Sequence, residues 1–573
     1  MTFPSPREQI VLRQVDPAAV AKLAAELNVP AAAATILVGR GFTDFNQCKA
    51  YFRPNIDGGF LDPFLFKDME KAVKRILSAI DSGEKIMIYG DYDVDGVTAT
   101  ALLTRALKRL GADCAYYLPN RLTEGYGISE TGIRHAAESG AALVISVDCG
   151  VTACEEAELA ATLGVDMIIT DHHEPKETLP AALALINPKL RGCAYPDKAL
   201  AGVGIALKLC QALAKAAGRD NGLWSDLLEL AALGTAADIV PMTGENRVIA
   251  ALGLARIPAT EIVGLRALVE AQGLSGKPLS TGQAVFQLAP CINAVGRLGD
   301  PRRGAELLLT SDPALAGLYA RELKEANIER RALDSLAAEE AFKWVEDNCS
   351  PREDYALVVA SPGWHAGVIG IVASKVVERY GRPAILISIG VDGAAKGSGR
   401  SVPGLHLLQA LDDCADVLDS YGGHAAAAGV SLRADKIDAF RERFNEAVKS
   451  RLSENDLAPK ITADVEVPID GLSPKLLRII NQMEPFGPGN MRPVLLTRGL
   501  KHRYPPKTVG QKHLKMSLTD GKAVMDAIAF GMGERLPEVT AAETLDVAFG
   551  LEDNEWNGKV TLQMNVKGIA VGG

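Results

Sequence analysis

No CxxC pair occurs among the nine cysteines, and Cys149 and Cys154, the two nearest the most polar segments, have no second pair with which to complete a zinc site. Reduced, mostly buried thiols are expected instead. Aromatic residues make up only 5% of the chain, which argues against an extended platform for stacking bases. Positive charge is in deficit: 61 Lys and Arg stand against 71 Asp and Glu, a net charge of −10. Bulk attraction therefore cannot coat this surface with a polyanion, and any nucleic-acid contact must be made in a local basic groove, through backbone and phosphate. No apolar run is long enough to span a bilayer, and the leading residues (MTFPSPR) lack a basic stretch followed by an apolar core. A cytoplasmic protein with no membrane association is the expectation. Internal repeats and low-complexity tracts are also missing.

What is present is a 573-residue chain, 48% hydrophobic and 23% charged, a globular balance that at about 150 residues per domain suggests three or four domains. In the first half, short apolar runs at 85–89 (KIMIY), 143–147 (LVISV), 167–170 (MIIT) and 184–186 alternate with helix formers such as 97–110 and 132–138. This is the pattern of a doubly wound parallel sheet. Residues 313–348 are charged, Ala- and Leu-rich and free of Pro after the first position, and predict one helix of roughly 50 Å. A second α/β unit opens with 355–360 (YALVVA), a helix at 368–379 and a strand at 384–389, and carries the Gly-rich segments 393–400 and 421–429. From about residue 457 short alternating runs separated by Gly, Pro and Asn suggest a small β-barrel, in which Trp556 could stack on a base or pack in the core. The resulting division is 1–310, an N-terminal segment and the doubly wound domain; 311–348, a connecting helix; 349–455, the second α/β unit; and 456–573, the barrel.

The carboxylates cluster in a telling way. Residues 90–98 (GDYDVDGVT) follow a buried strand and precede a helix, which puts Asp91, Asp93 and Asp95 at the carboxyl edge of the sheet, where open α/β sheets bind ligands. These acids, with no Lys or Arg in the loop, repel each other unless a cation compensates. The run 143–147 ends at Asp148, the run 167–170 at Asp171, His172 and His173, and the apolar segment 231–240 delivers Asp238. Each acid alone could cap a helix, but four such segment ends are hard to explain as four unrelated caps. Carboxylates mixed with imidazole and without thiolate suit Mn²⁺ or Mg²⁺. Two such ions about 3.5–4 Å apart can activate a water and stabilise the leaving oxygen in phosphoester hydrolysis.

The segments DYDVDG, VDCG, TDHHEP and GTAADIVPM resemble, in order and context, the successive motifs of the DHH phosphoesterase family. Later segments, CINAVGRL (291–298), GWHAGVIGIVASKVVERYGRPA (363–384), GSGRSVPGLHL (397–407) and YGGHAAAAGVSL (421–432), resemble the RecJ branch, the single-strand-specific exonucleases. With PFGPGN (485–490) and NEWNGK (554–559) the likeness covers nearly the whole chain.

The resemblance implies an α/β fold: a doubly wound parallel-sheet DHH domain, a long helix, a second, DHHA1-like α/β domain and an OB-like barrel. It implies an exodeoxyribonuclease that degrades single-stranded DNA from 5′ to 3′ to mononucleotides in recombination and repair, alongside a single-stranded-DNA-binding protein and a RecQ-type helicase. By motif, Asp95, Asp148, His172 and Asp238 would hold one metal, and Asp93 with the shared Asp148 would help a second. His173 would lie near the reacting phosphate or its water, with Asp91 and Asp171 in support. Arg121 and Arg297 would contact phosphates; Ser398, Arg400, Gly422, Gly423 and His424 would grip the terminal phosphate and adjoining backbone. Tyr89 stands where many DHH enzymes have a His, which weakens the second metal position. Competing readings are a haloacid-dehalogenase-like aspartyl nucleophile in DVDGVT, a DHH phosphodiesterase of cyclic dinucleotides or short oligonucleotides, and a catalytically silent DNA-binding scaffold.

Overall fold

The computed structural model describes residues 9–572 except Leu122, Thr123, Tyr126, Asp220, Asn221, Asn455, Pro459, Gln511 and Asn557. The leading residues MTFPSPR and the side chain of Trp556 lie outside the described residues. Among those described, no single helix is long and apolar enough to cross a membrane.

The chain forms two compact units: one of Met1–Phe52, Arg331–Met483 and Arg492–Gly573, the other of Arg53–Arg330 and Glu484–Met491. The first strand, β1 (Gln9–Leu12), pairs in parallel with β12 (Lys460–Ala463), and Arg13 Nε adds a 3.2 Å ion pair to Asp464. Residues 9–52, expected with the parallel sheet, therefore cluster with the C-terminal half of the chain.

The unit of Arg53–Arg330 is built on β2 (Lys85–Gly90), β3 (Cys114–Tyr117), β4 (Ala141–Val147), β5 (Asp166–Thr170) and β6 (Ala184–Ile186). They form one all-parallel sheet in the order β3-β2-β4-β5-β6. Both faces are buried, and the pleat sorts the side chains: Ile86, Ile88, Leu143 and Ile145 enter one core, Met87, Tyr89, Val144 and Ile169 the other. The order reverses between β2 and β4, and at such a switch point the crossover helices diverge and open a crevice at the carboxyl ends of the strands.

In the other unit, β7 (Leu357–Ser361), β8 (Ala384–Ile389), β9 (Ala394–Arg400), β10 (Ser420–Gly423) and β11 (Ala427–Arg433) form a sheet ordered β10-β11-β9-β8-β7. Only β7 and β8 run parallel. The Gly-rich segment 393–400 is mostly the central strand β9, and its glycines serve packing: a Cβ on Gly397 would stand 2.5 Å from Val430. The helix Pro313–Asn348 is continuous over its 36 residues, and the division between units falls inside it.

After the two-residue β13 (Val465–Glu466), the strands β14 (Leu495–Val509), β15 (His513–Thr519), β16 (Val524–Ala529), β17 (Thr544–Trp556) and β18 (Lys559–Gly572) pair in the ring β14-β15-β16-β18-β17, which closes through β17–β14. This five-stranded closed circuit is the connectivity of an oligonucleotide-binding barrel. Leu514, Met516 and Leu518 alternate into its core with Val547, Phe549 and Leu551.

Candidate metal centre

The carboxyl edge of the parallel sheet gathers the acids from separate strands. Asp91 and Asp93 follow β2, Asp148 follows β4, and Asp171, His172 and His173 follow β5. Asp93 caps the helix Val94–Leu110, its Oδ1 accepting the N–H groups of Asp95 (2.9 Å) and Gly96 (3.1 Å). Gly96 permits this turn, since a Cβ there would lie 2.5 Å from the Asp91 carbonyl oxygen. Asp238 comes from a helix end: it closes Leu228–Ala237, where the macrodipole is negative. A carboxylate there is doubly disfavoured, by the dipole and by its mostly buried position, unless a cation faces it.

Ligand atoms converge in three overlapping sets, each within 4.8 Å: Asp95, His172 and Asp238; Asp148, His172 and His173; Asp91, Asp93 and Asp148. His172 Nε2 lies 3.1 Å from Asp148 Oδ1 and 3.6 Å from Asp238 Oδ2. Asp91 Oδ1, Asp148 Oδ1, His172 Nε2 and Asp238 Oδ2 are nevertheless buried with no hydrogen-bond partner. Orphaned buried acceptors cost on the order of 1–3 kcal/mol each, more when charged. Orphaned acceptors gathered in overlapping ligand sets are what divalent cations relieve, so the residues present fit a Mn²⁺ or Mg²⁺ centre, and the sharing of Asp148 and His172 between sets fits two ions.

The protonation pattern has the same cause. Burial first, then the charge of Asp95, raises the Asp238 carboxyl to about 9. Burial, then Asp93, raises Asp95 to about 7, against the N–H bonds it accepts. Asp91 and Asp148 are held well above the usual carboxylate range by burial and by Asp93 and Asp95 respectively. Burial and the adjacent His173 depress the His172 imidazole to about 3, so its ring is neutral. Its bond to the Leu200 backbone leaves Nε2, which has no partner, as the ring atom that could hold a metal.

Asp171 plays a different part. Its Oδ2 accepts the Val151 N–H at 2.8 Å, and its Oδ1 accepts the N–H groups of His172 (2.7 Å) and His173 (3.0 Å) and lies 2.7 Å from His173 Nδ1. Despite burial, the His173 bond lowers the Asp171 carboxyl, so it is ionised and Nδ1 carries the proton. Against its own burial, Asp171 raises the His173 imidazole.

Arg121 lies 5.1 Å over the Tyr92 ring, and Arg297 also acts on the Tyr92 phenol, so both guanidinium groups border the Asp91–Asp93 turn. Tyr89 faces away: its buried phenol bonds Ser129 and Gly127 and tilts against Tyr117 at 5.2 Å. Residues that pattern reading passed over also build the site. Asp95 anchors both oxygens on the first N–H groups of the helix Gly202–Ala216, Gly202 at 2.7 Å and Val203 at 2.8 Å. Gly202 admits no side chain, because a Cβ would stand 2.4 Å from Asp148 Oδ1. Asn187, buried, donates to the His173 carbonyl at 2.9 Å.

A second constellation lies in the other unit. Across β9, β11 and β10 the register aligns Ser398 with Gly429 and Gly429 with Gly422, while Arg400 faces Ala427, whose carbonyl takes the His424 N–H at 2.8 Å. Arg400 Nη1 donates to Ser398 Oγ at 3.2 Å. A Cβ on Gly370, near the start of the helix Ile369–Tyr380, would lie 2.9 Å from Ser398 Oγ and 3.1 Å from Arg400 Nη2. A cation, a hydroxyl and helix N–H groups thus share one corner, the makings of an anion site. Gly423, at φ 148°, leaves no room for a Cβ, which would fall 2.4 Å from the Ala427 carbonyl oxygen.

Residues 85–235 match the DHH family, N-terminal domain; residues 353–450 the DHHA1 domain; and residues 463–568 the RecJ OB domain. The single-stranded-DNA-specific exonuclease RecJ of Bacillus subtilis is 38% identical over 562 residues, covering 98% of this chain and 70% of that protein. Its counterpart in Escherichia coli is 35% identical over 584 residues, 98% of this chain and 99% of that one. Among solved structures, RecJ of Thermus thermophilus with Mn²⁺ superposes at a TM-score of 0.84 and 31% identity, over 99% of this chain and 80% of that one. The same protein with Mg²⁺ superposes at 0.78 and 30% identity, over 98% and 78% of the two chains.

Proposed function

The chain belongs to the family of RecJ single-stranded-DNA-specific exonucleases, and from that premise we propose that it hydrolyses single-stranded DNA from 5′ to 3′ to 5′-mononucleotides, with Mn²⁺ or Mg²⁺, in recombination and repair. The observation that carries this reading is the set of four buried, unpartnered ligand atoms on Asp91, Asp148, His172 and Asp238 at the switch point of the sheet.

Asp95, Asp148, His172 and Asp238 are the residues to hold one ion, and Asp93 with the shared Asp148 those to help hold a second. When bound, the ions polarise a phosphate oxygen and lower the pKa of a water. His173, its Nδ1 held by Asp171, would act beside the reacting phosphate or its water, and its raised pKa suits its imidazolium to donate a proton to the leaving oxygen. Arg121 and Arg297 neutralise backbone phosphate. Ser398, Arg400, His424 and the backbone of Gly422 and Gly423 bind the terminal phosphate, and the barrel binds the strand further along. A cytoplasmic setting and work beside a single-stranded-DNA-binding protein and a RecQ-type helicase belong to the same reading. The closed barrel argues against a phosphodiesterase confined to dinucleotides, and the intact acids argue against a silent scaffold.

The test is digestion of one oligonucleotide labelled at its 5′ or its 3′ end, with Mn²⁺, Mg²⁺ or chelator, for wild type and Asp95→Ala. Immediate release of the 5′ label as a mononucleotide, dependent on metal and Asp95, is expected. Release from the 3′ end first, or an untouched strand, contradicts the proposal.

A further inference from the structure

Ile239, next after Asp238, has φ 61°. In that left-handed region a non-glycine Cβ crowds the following carbonyl, and helices that end this way usually place glycine there. The isoleucine is 74% exposed, so its packing gives little back. Such a conformation persists only where the surroundings over-determine it.

The residues that follow this turn, Pro241 and Met242, meet PFGPGN, the motif that catalysis leaves unexplained. The Met242 N–H donates to the Pro488 carbonyl at 2.6 Å. The buried Arg247 guanidinium donates to the carbonyls of Glu484 (2.9 Å) and Pro485 (3.2 Å). The buried Asn490 amide closes the segment on itself, donating to Pro485 O at 2.7 Å. Approach is close, since a Cβ on Gly487 would lie 3.1 Å from Met242 Cβ. From the other side the buried Asn246 Nδ2 donates to Pro241 O at 3.0 Å and to Ala199 O at 2.6 Å, while its Oδ1 accepts from Ala201 at 3.2 Å, beside the N–H groups that anchor Asp95.

We propose that Arg247 and the segment Glu484–Met491 are positioning groups for the metal centre: they clamp Pro241 and Met242, hold the strained Ile239 turn closed, and so aim the Asp238 carboxylate at the metal. This role rests on the reading of Asp238 as a ligand.

The full-length protein is titrated with Mn²⁺ and free ion is followed by electron paramagnetic resonance, with the fold checked by circular dichroism in chelator. Arg247→Met weakens Mn²⁺ binding about 10–100-fold in a folded protein, as loss of groups that orient ligands does. Ile239→Gly, which adopts the turn without strain, restores most of that loss in the Arg247→Met background. Wild-type affinity in Arg247→Met, or a double variant no tighter than the single, overturns the clamp. Should Arg247→Met fail to fold, Asn490→Ala takes its place, alone and with Ile239→Gly, with the same two outcomes. A wild type that does not bind Mn²⁺ overturns the centre itself and the clamp with it.

Discussion

Asp238 and Asp95 show how one residue's environment decides its chemistry. Both carboxyls titrate well above an unfolded aspartate, near 9 and 7, because burial and neighbouring acids disfavour the charge. At these two sites the metal-free native state binds more protons than the unfolded chain from about pH 4 up to about pH 9 and pH 7 respectively, so their contribution to stability falls as pH rises; His172, depressed to about 3, has the opposite sign but only below its ordinary value of 6.5. Thermal midpoints measured in chelator should decline from pH 7 to pH 9, and Mn²⁺ should flatten the decline by replacing the protons. A midpoint independent of both pH and metal would contradict this. Gly202 makes a second case: Gly202→Ala should weaken Mn²⁺ binding about 10–100-fold in an otherwise folded protein, because its methyl displaces the Asp148 carboxylate. Asp148 and Asp171 were legible from sequence because each ends an apolar run, Asp91, Asp93 and Asp95 because they share the loop after another, and Asp238 because it interrupts an apolar segment. Gly202 and Val203 were not, since AGVG names no chemistry until the fold turns a helix N-terminus onto Asp95.

At the scale of elements, the strands of the parallel sheet were readable because burial on both faces writes continuous apolar runs. β3 (CAYY) was missed: it is half-buried at the sheet edge and too short to carry a pattern. The segment before Asp238 read as one more apolar run and is a helix, since buried helices and strands are indistinguishable by hydropathy over so few residues. The helix Gly202–Ala216 carries its own liability, the fully buried Lys208, whose Nζ lies 2.9 Å from Glu245 Oε1, while the Tyr195 hydroxyl bonds the other carboxylate oxygen. Lys208→Met should destabilise by about 3–5 kcal/mol in chemical denaturation, by stranding the Glu245 charge, and adding Glu245→Gln should recover part of the loss. Equal stability of single and double variants would show that the pair is not the source.

At the scale of the molecule, a net charge of −10 and a polyanionic substrate are compatible only if a few cations act locally. Affinity for a single strand should then fall with salt at a slope of about 0.7 per phosphate contacted, and Arg121→Gln, Arg297→Gln or Arg400→Gln should each lower that slope by about 0.7. An unchanged slope in all three variants would place the DNA elsewhere. The three-part fold was legible because its motifs span most of the chain. The pairing of β1 with β12 was not, because it joins residues some 450 positions apart that carry no mutual signal. The most direct measurement of the central claim is an anomalous difference map from crystals soaked in Mn²⁺. The strongest peak is expected between Asp148 Oδ1, His172 Nε2 and Asp238 Oδ2; a map with no density there, or with manganese only at other sites, would contradict the account.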